Sequence, residues 1–114
     1  MFKKISLELG GKNPNIVFED AAFNNAVKFS TKAAFSNQGQ ICLCGSRLFV
    51  QDSIYKNFRS AIIKETKSLK VGDPKDDKNN LGAVVSHEHM TKILDCIEQA
   101  KEEGGEIITG GNRL

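Results

Sequence analysis

The sequence predicts an α/β fold with a mainly parallel sheet and flanking helices. Three observations carry this. Short apolar runs of strand length alternate with longer stretches of helical period. Glycine pairs and Gly-Asp-Pro punctuate the joins. The composition is that of a packed domain: 114 residues, 39% hydrophobic and 26% charged.

The first element expected is a strand. Ile5, Leu7 and Leu9 alternate with Ser6, Glu8 and Gly10, which sets Glu8 apart from the apolar face. So early a strand needs a partner for its backbone groups, and the expectation is a chain cut from something larger. Asn15 to Phe18 reads as a second strand. Asp20 is the expected N-cap of a helix from about Ala21 to Phe35. Its inner stripe is Ala22, Phe23, Ala26, Val27, Ser30, Ala33 and Ala34, mostly small residues that permit close packing. Asn37 to Gly39 breaks the helix, and a loop carrying Cys42 follows.

Leu48 to Val50 reads as the next strand, and Asp52 or Ser53 as the cap of a helix to Leu69. Ile54, Phe58, Ala61, Ile62, Glu65 and Leu69 trace its inner face. Val71 to Pro74 ends that unit, and residues 75–80 form a polar loop. Gly82 to Val85 is expected to be extended. Ser86 then caps a helix to about Glu103, with Met90, Ile93, Leu94, Ile97 and Ala100 inward. Gly104 and Gly105 close it, and Glu106 to Thr109 reads as a last strand.

Composition excludes several classes of function. Sixteen basic and fourteen acidic residues give a net charge of only +2, too balanced for nucleic-acid binding. No apolar run reaches membrane-spanning length, so no membrane association is expected. Three cysteines and no secretory leader imply free thiols and a cytoplasmic location. Typical zinc-ligand spacings are absent, so no metal site is expected. His87 and His89 lie two apart on a helix and point to different faces; they read as solvated polar residues.

Two residues carry candidate chemistry. Cys42 follows a helix break beside Gly39. A free thiol titrates near about 8.5, so a loop that turns N–H groups toward the sulfur makes it a better nucleophile. The bland reading is a small buried hydrophobe, which is also the reading for Cys44 and Cys96. Glu8 lies between two leucines, and an apolar seat would make it a better base. Its bland reading is an exposed strand residue. Gly10-Gly11-Lys12 is not a phosphate loop, since Ser6 and Asn13 stand where Gly and Ser or Thr are needed.

Together these segments resemble the aldehyde dehydrogenase superfamily. The Glu-Leu-Gly-Gly-Lys motif is present as Glu8 to Lys12. The Phe-x-x-x-Gly-Gln-x-Cys-x-x-x-x-Arg motif matches Phe35, Gly39, Gln40, Cys42 and Arg47. Val71 to Pro74, Gly82 to Ser86 and the later glycine pairs resemble the continuation of that family's catalytic domain. The resemblance thus covers residues 1–114 as one partial catalytic domain, starting at the end of an NAD-binding domain. Residues Asn37 to Cys44 are most similar to the branch that oxidises aminomuconate and hydroxymuconate semialdehydes.

The resemblance implies oxidation of an aldehyde to a carboxylate through a thiohemiacetal and thioester on Cys42. Glu8 would be the base that activates water. NAD, with NADP the alternative, would lie beside Leu9 and Gly10, and Phe35 and Ile41 would line the aldehyde tunnel. The parent enzyme would be a homo-oligomer. Only seven residues precede Glu8, so the main cofactor-binding domain is expected to lie outside this chain. The chain alone is expected to be inactive. Two other readings stand beside this one: a noncatalytic folding or association module, and a thiol-redox sensor using Cys42 and Cys44.

Overall fold

The computed structural model describes residues 2–114. Two strands, β1 (Pro14–Val17) and β2 (Arg47–Val50), pair in parallel with Pro14 opposite Arg47 and Val17 opposite Val50. Between them runs helix α1 (Phe23–Phe35), followed by a 3-10 turn at Ser36–Gly39. After β2 come α2 (Asp52–Ser68) and α3 (His87–Glu102). The class is α/β, with a small parallel sheet and flanking helices.

The core sits where β1, α1 and α2 meet. Val17, Val27 and Phe58 form it, and Ala26, Val50, Ile54, Ala61 and Ile62 pack around it. Phe58 is fully buried, and its ring meets Phe23 edge-on at 5.8 Å between centroids. The inner face read for α2 is therefore the packed one, Glu65 included, since that carboxylate is half-buried. On α1, Val27 and Ser30 are buried as the stripe requires. Thr31 is buried as well, where its hydroxyl donates to the Val27 carbonyl at 3.0 Å.

Several expected features do not form. Residues 2–13 adopt no regular structure, and Ile5, Leu7 and Leu9 are exposed. Glu106 to Thr109 is likewise irregular. Period-2 patterning supplies a face but not a partner, and neither segment has a strand beside it. Gly82 to Val85 joins no strand ladder; an isolated bridge pairs the preceding Leu81 with Val71, and the Gly82 and Val85 N–H groups bond to the Gln38 and Gln40 side chains. Asp20 does not cap α1. It lies in a turn closed by the Ala21 N–H on the Phe18 carbonyl at 3.2 Å, and Ala22 holds the N-cap position. Neither Asp52 nor Ser53 caps α2. Gln51 holds that position, and the Ser53 hydroxyl donates instead to Glu19 at 2.7 Å.

Ser86 does cap α3, accepting from the His89 N–H at 3.0 Å. The inner face of α3 is only half-covered. Met90, Ile93, Leu94 and Ile97 are half-buried, while Ala100 is exposed. Cys96, read as a small buried hydrophobe, is exposed on the same helix. Gly104 ends α3 at φ 93°, a backbone state that suits glycine.

The chain is open for its length. Its radius of gyration is 16.3 Å, against about 13 Å for a compact domain of similar size. Its accessible surface is 9442 Å², about half as much again as the ~6,200 Å² expected of a folded monomer of this mass. The exposed side chains include the large apolar Phe18, Phe29, Leu43 and Phe49. Among the described residues, no helix is long and apolar enough to cross a membrane.

Candidate active site

The loop after α1 is shaped by its backbone. Asn37, Gln38 and Gly39 all have positive φ, at 49°, 57° and 77°. Asparagine and glycine tolerate that region; glutamine costs about 1–2 kcal/mol there. Neighbouring contacts hold the turn in place. The Gln40 N–H donates to the Asn37 carbonyl at 3.0 Å. The Gln38 amide, oriented to satisfy both its ends, accepts from the Gly82 N–H at 2.8 Å. The Gln40 side chain accepts from the Val85 N–H at 3.1 Å. Strain held by surrounding contacts clusters at functional sites.

Cys42 sits on the next turn, closed by the Cys44 N–H on the Ile41 carbonyl at 3.0 Å. This turn exposes Cys42 and buries Cys44. The loop is then anchored at Gly45, whose N–H donates to the Ala33 carbonyl at 3.0 Å. A Cβ at Gly45 would stand 3.3 Å from Asn15 and 3.4 Å from Ala33, so glycine permits this close approach. All three cysteines are free.

The exposed thiol borders an open cleft of about 700 Å³. Glu8, Leu9, Gly10 and Gly11 contribute one strip of its wall, and Gly39 to Cys42 a second. Val85 and His89 supply the rest. The cleft thus brings Glu8 and Cys42 together, with Leu9, Gly10 and Ile41 beside them. It does not include Phe35. That ring stays on the α1 side of the 3-10 turn, in a separate groove of about 390 Å³ with Lys28, Thr31 and Glu65. A further groove of about 420 Å³ along β1 and α1 carries no ionisable side chain. Glu8 is exposed, not seated among apolar side chains as its flanking leucines led one to expect. Leu7 and Leu9 point into solvent because no strand forms there.

Three contacts tie the two strips of the cleft together. The Asn13 side-chain amide donates to the Cys42 carbonyl at 2.6 Å and to the Cys44 carbonyl at 3.2 Å. The Arg47 Nε donates to the Lys12 carbonyl at 2.9 Å, and its guanidinium lies 5.7 Å over the Phe49 ring. The motif arginine therefore braces the motif glutamate's segment. Sequence reading did not single out Asn13, and no local pattern announces a bond across 29 residues. His89, read as solvated, is half-buried in the cleft wall, while His87 is exposed. The helix geometry that separates the two was legible; the wall that receives one of them was not. Among the described residues, no group of three His, Cys, Asp or Glu side chains gathers as a metal site.

The fold and this cleft define a family. The aldehyde dehydrogenase family model matches residues 1–114, and the chain belongs to that family. It is similar to 4-trimethylaminobutyraldehyde dehydrogenase A of Danio rerio, at 45% identity over 98% of this chain and 22% of that one. It is 46% identical to 2-aminomuconic semialdehyde dehydrogenase of Mus musculus, over 95% of this chain and 22% of that one. Betaine aldehyde dehydrogenase of Staphylococcus aureus, solved in complex with NAD+, superposes with a TM-score of 0.91 at 44% identity. It covers 94% of this chain and 21% of its own. The chain therefore spans about a fifth of the length of these relatives.

Proposed function

We propose that this chain carries the nucleophile and base of an NAD-dependent aldehyde dehydrogenase. The observation that supports this is the cleft that holds Cys42 and Glu8 together. Family membership gives the reaction class.

In the proposed reaction the Cys42 thiolate attacks the aldehyde carbon, and a sulfur–carbon bond forms. The Cys42 N–H helps to hold the resulting oxyanion. Loss of hydride from that carbon leaves a thioester on Cys42. NAD, when bound, supplies the hydride acceptor. Glu8 then takes a proton from water as its oxygen attacks the thioester. The carbon–sulfur bond breaks, releasing the carboxylate and restoring the thiolate.

The residues present fit one end of the cofactor. A Cβ at Gly10 would meet nothing within 4 Å, so the backbone there lies open to a flat ring, and Leu9 offers apolar surface beside it. Ile41 lines the cleft on the cysteine side and is the residue here that would touch the aldehyde. Phe35 lines the other groove, so a place for it in the aldehyde tunnel rests on the family motif alone. The substrate we favour is a muconate-type semialdehyde, supported by the likeness to 2-aminomuconic semialdehyde dehydrogenase. Free thiols suit a reducing compartment such as the cytoplasm. A homo-oligomeric parent belongs to the same reading.

The test is aldehyde-dependent NADH formation by the complete protein that contains this chain. Cys42→Ala abolishes both that activity and ester hydrolysis if the reading is right; turnover retained by the variant contradicts it. The 114-residue chain alone is expected to be inactive.

A second reading has its own support. Large apolar side chains stand exposed on β1, α1 and the cysteine loop, among them Ile16, Phe29 and Leu43, and exposed apolar patches mark interaction surfaces. Such a surface fits a module that associates with further polypeptide. A Cys42 inert to both aldehydes and alkylating reagents would favour this second reading.

A further inference from the structure

We propose that Asn13 is a positioning residue that keeps the Cys42 loop in register with the Glu8 segment, an inference that rests on the roles proposed above. The segment bearing Glu8 has no regular structure. Its geometry relative to Cys42 therefore depends on where it is fastened. Regular structure resumes at β1, which begins at Pro14. Asn13 is the residue just before it, half-buried, and the cross-links converge there.

Both hydrogens of the Asn13 amide are used. One faces the Cys42 carbonyl at 2.6 Å and the other the Cys44 carbonyl at 3.2 Å. These carbonyls flank the turn that presents the thiol. The Asn13 carbonyl accepts from the Arg47 N–H at 3.2 Å, so its backbone is bound to the far end of the same loop. Gly11 makes room for the amide, since a Cβ there would stand 3.1 Å from Asn13 Oδ1. The two hydrogens of an NH₂ group let it serve two carbonyl oxygens at once. A carboxylate of the same shape would meet two acceptors with nothing to donate, and would push the loop away.

Asn13→Asp is the direct test, with Asn13→Ser as the variant that keeps one shorter donor. In the complete protein, turnover is read per reactive Cys42, counted by the burst of acylation. A residue needed only for folding would lower the count and leave turnover per site unchanged. The expected result for Asn13→Asp is a kcat per site about 10- to 100-fold lower, because small misplacements of reacting groups have effects of that order. The aldehyde KM stays within about twofold. Asn13→Ser recovers part of the loss. In the 114-residue chain, iodoacetamide provides a readout without turnover. Cys44 is buried in the unsubstituted chain and is expected to resist the reagent; Asn13→Asp opens the loop and makes it reactive.

Wild-type kcat per site together with undiminished Cys44 protection in Asn13→Asp overturns the proposal. If Asn13→Asp does not fold, the same two readings on Asn13→Ser decide it: partial loss in both supports it, and no loss in either overturns it. Failure of the functional reading is distinguishable. It appears as aldehyde oxidation surviving Cys42→Ala, and the positioning role is then judged on Cys44 labelling alone.

Discussion

Replacing Phe58 with alanine should remove most of what holds β1, α1 and α2 together. Phe58 is the one fully buried large side chain among the described residues, and the buried apolar set around it is small: Val17 and Val27. A buried aromatic side chain removes about 150–250 Å² from water. At about 25 cal/mol per Å² that burial contributes about 4–6 kcal/mol. The edge-on contact with Phe23 adds about 0.5–1.5 kcal/mol. Measured Phe→Ala losses in cores are about 3–5 kcal/mol, so a loss of about 4 kcal/mol is the working figure. With a urea m-value of about 2 kcal/mol/M for a small domain, the midpoint falls by about 2 M. Urea unfolding of the 114-residue chain, followed by far-UV circular dichroism, measures this. Phe58→Leu keeps most of the volume and should lose less than half as much. A midpoint shift below about 0.5 M for Phe58→Ala would show that the β1–α1–α2 junction is not where stability resides.

Other outcomes follow from single contacts. Ser86→Ala removes the hydroxyl that accepts from His89, and should destabilise α3 by about 1 kcal/mol, seen as faster amide exchange in its first turn. Gly39→Val places a β-branched residue at φ 77° and should lower stability by at least about 1–2 kcal/mol, read in the same urea titration. Glu106→Gln breaks the exposed pair with Arg59 at 3.2 Å; the expected change is under about 1 kcal/mol, and smaller still in high salt. Brief iodoacetamide treatment followed by peptide mass analysis should label Cys42 and Cys96 and spare Cys44.

Local signals and long-range ones fared differently. The helical stripe of α2 was readable because its period matches a face that β1 and α1 cover. Ser86 was readable as a cap because its partner, the His89 N–H, lies three residues away. The caps at Asp20, Asp52 and Ser53 were misread because nearby groups compete: a turn absorbs Asp20, and Glu19 captures the Ser53 hydroxyl. The two missing strands failed for a different reason, since pairing requires a neighbour and sequence period cannot provide one. At the cleft, the motifs named Glu8 and Cys42, and the fold brings both to one wall system. Asn13 stayed hidden because its meaning lies in a contact between segments far apart in sequence. Phe35 was grouped with Cys42 by motif, yet the positive-φ turn after α1 separates them.

Glu8→Gln offers the sharpest view of the proposed chemistry. The variant keeps the shape of the side chain and removes its basicity, in a cleft it shares with Cys42. In the complete protein, rapid mixing with aldehyde and NAD should give a normal burst of NADH followed by a slowed steady state, by about 10²-fold or more. Intact-mass analysis should then find the acyl group on Cys42. A burst and a steady state that fall together, with no acyl group on Cys42, would contradict Glu8 as the base that hydrolyses the thioester.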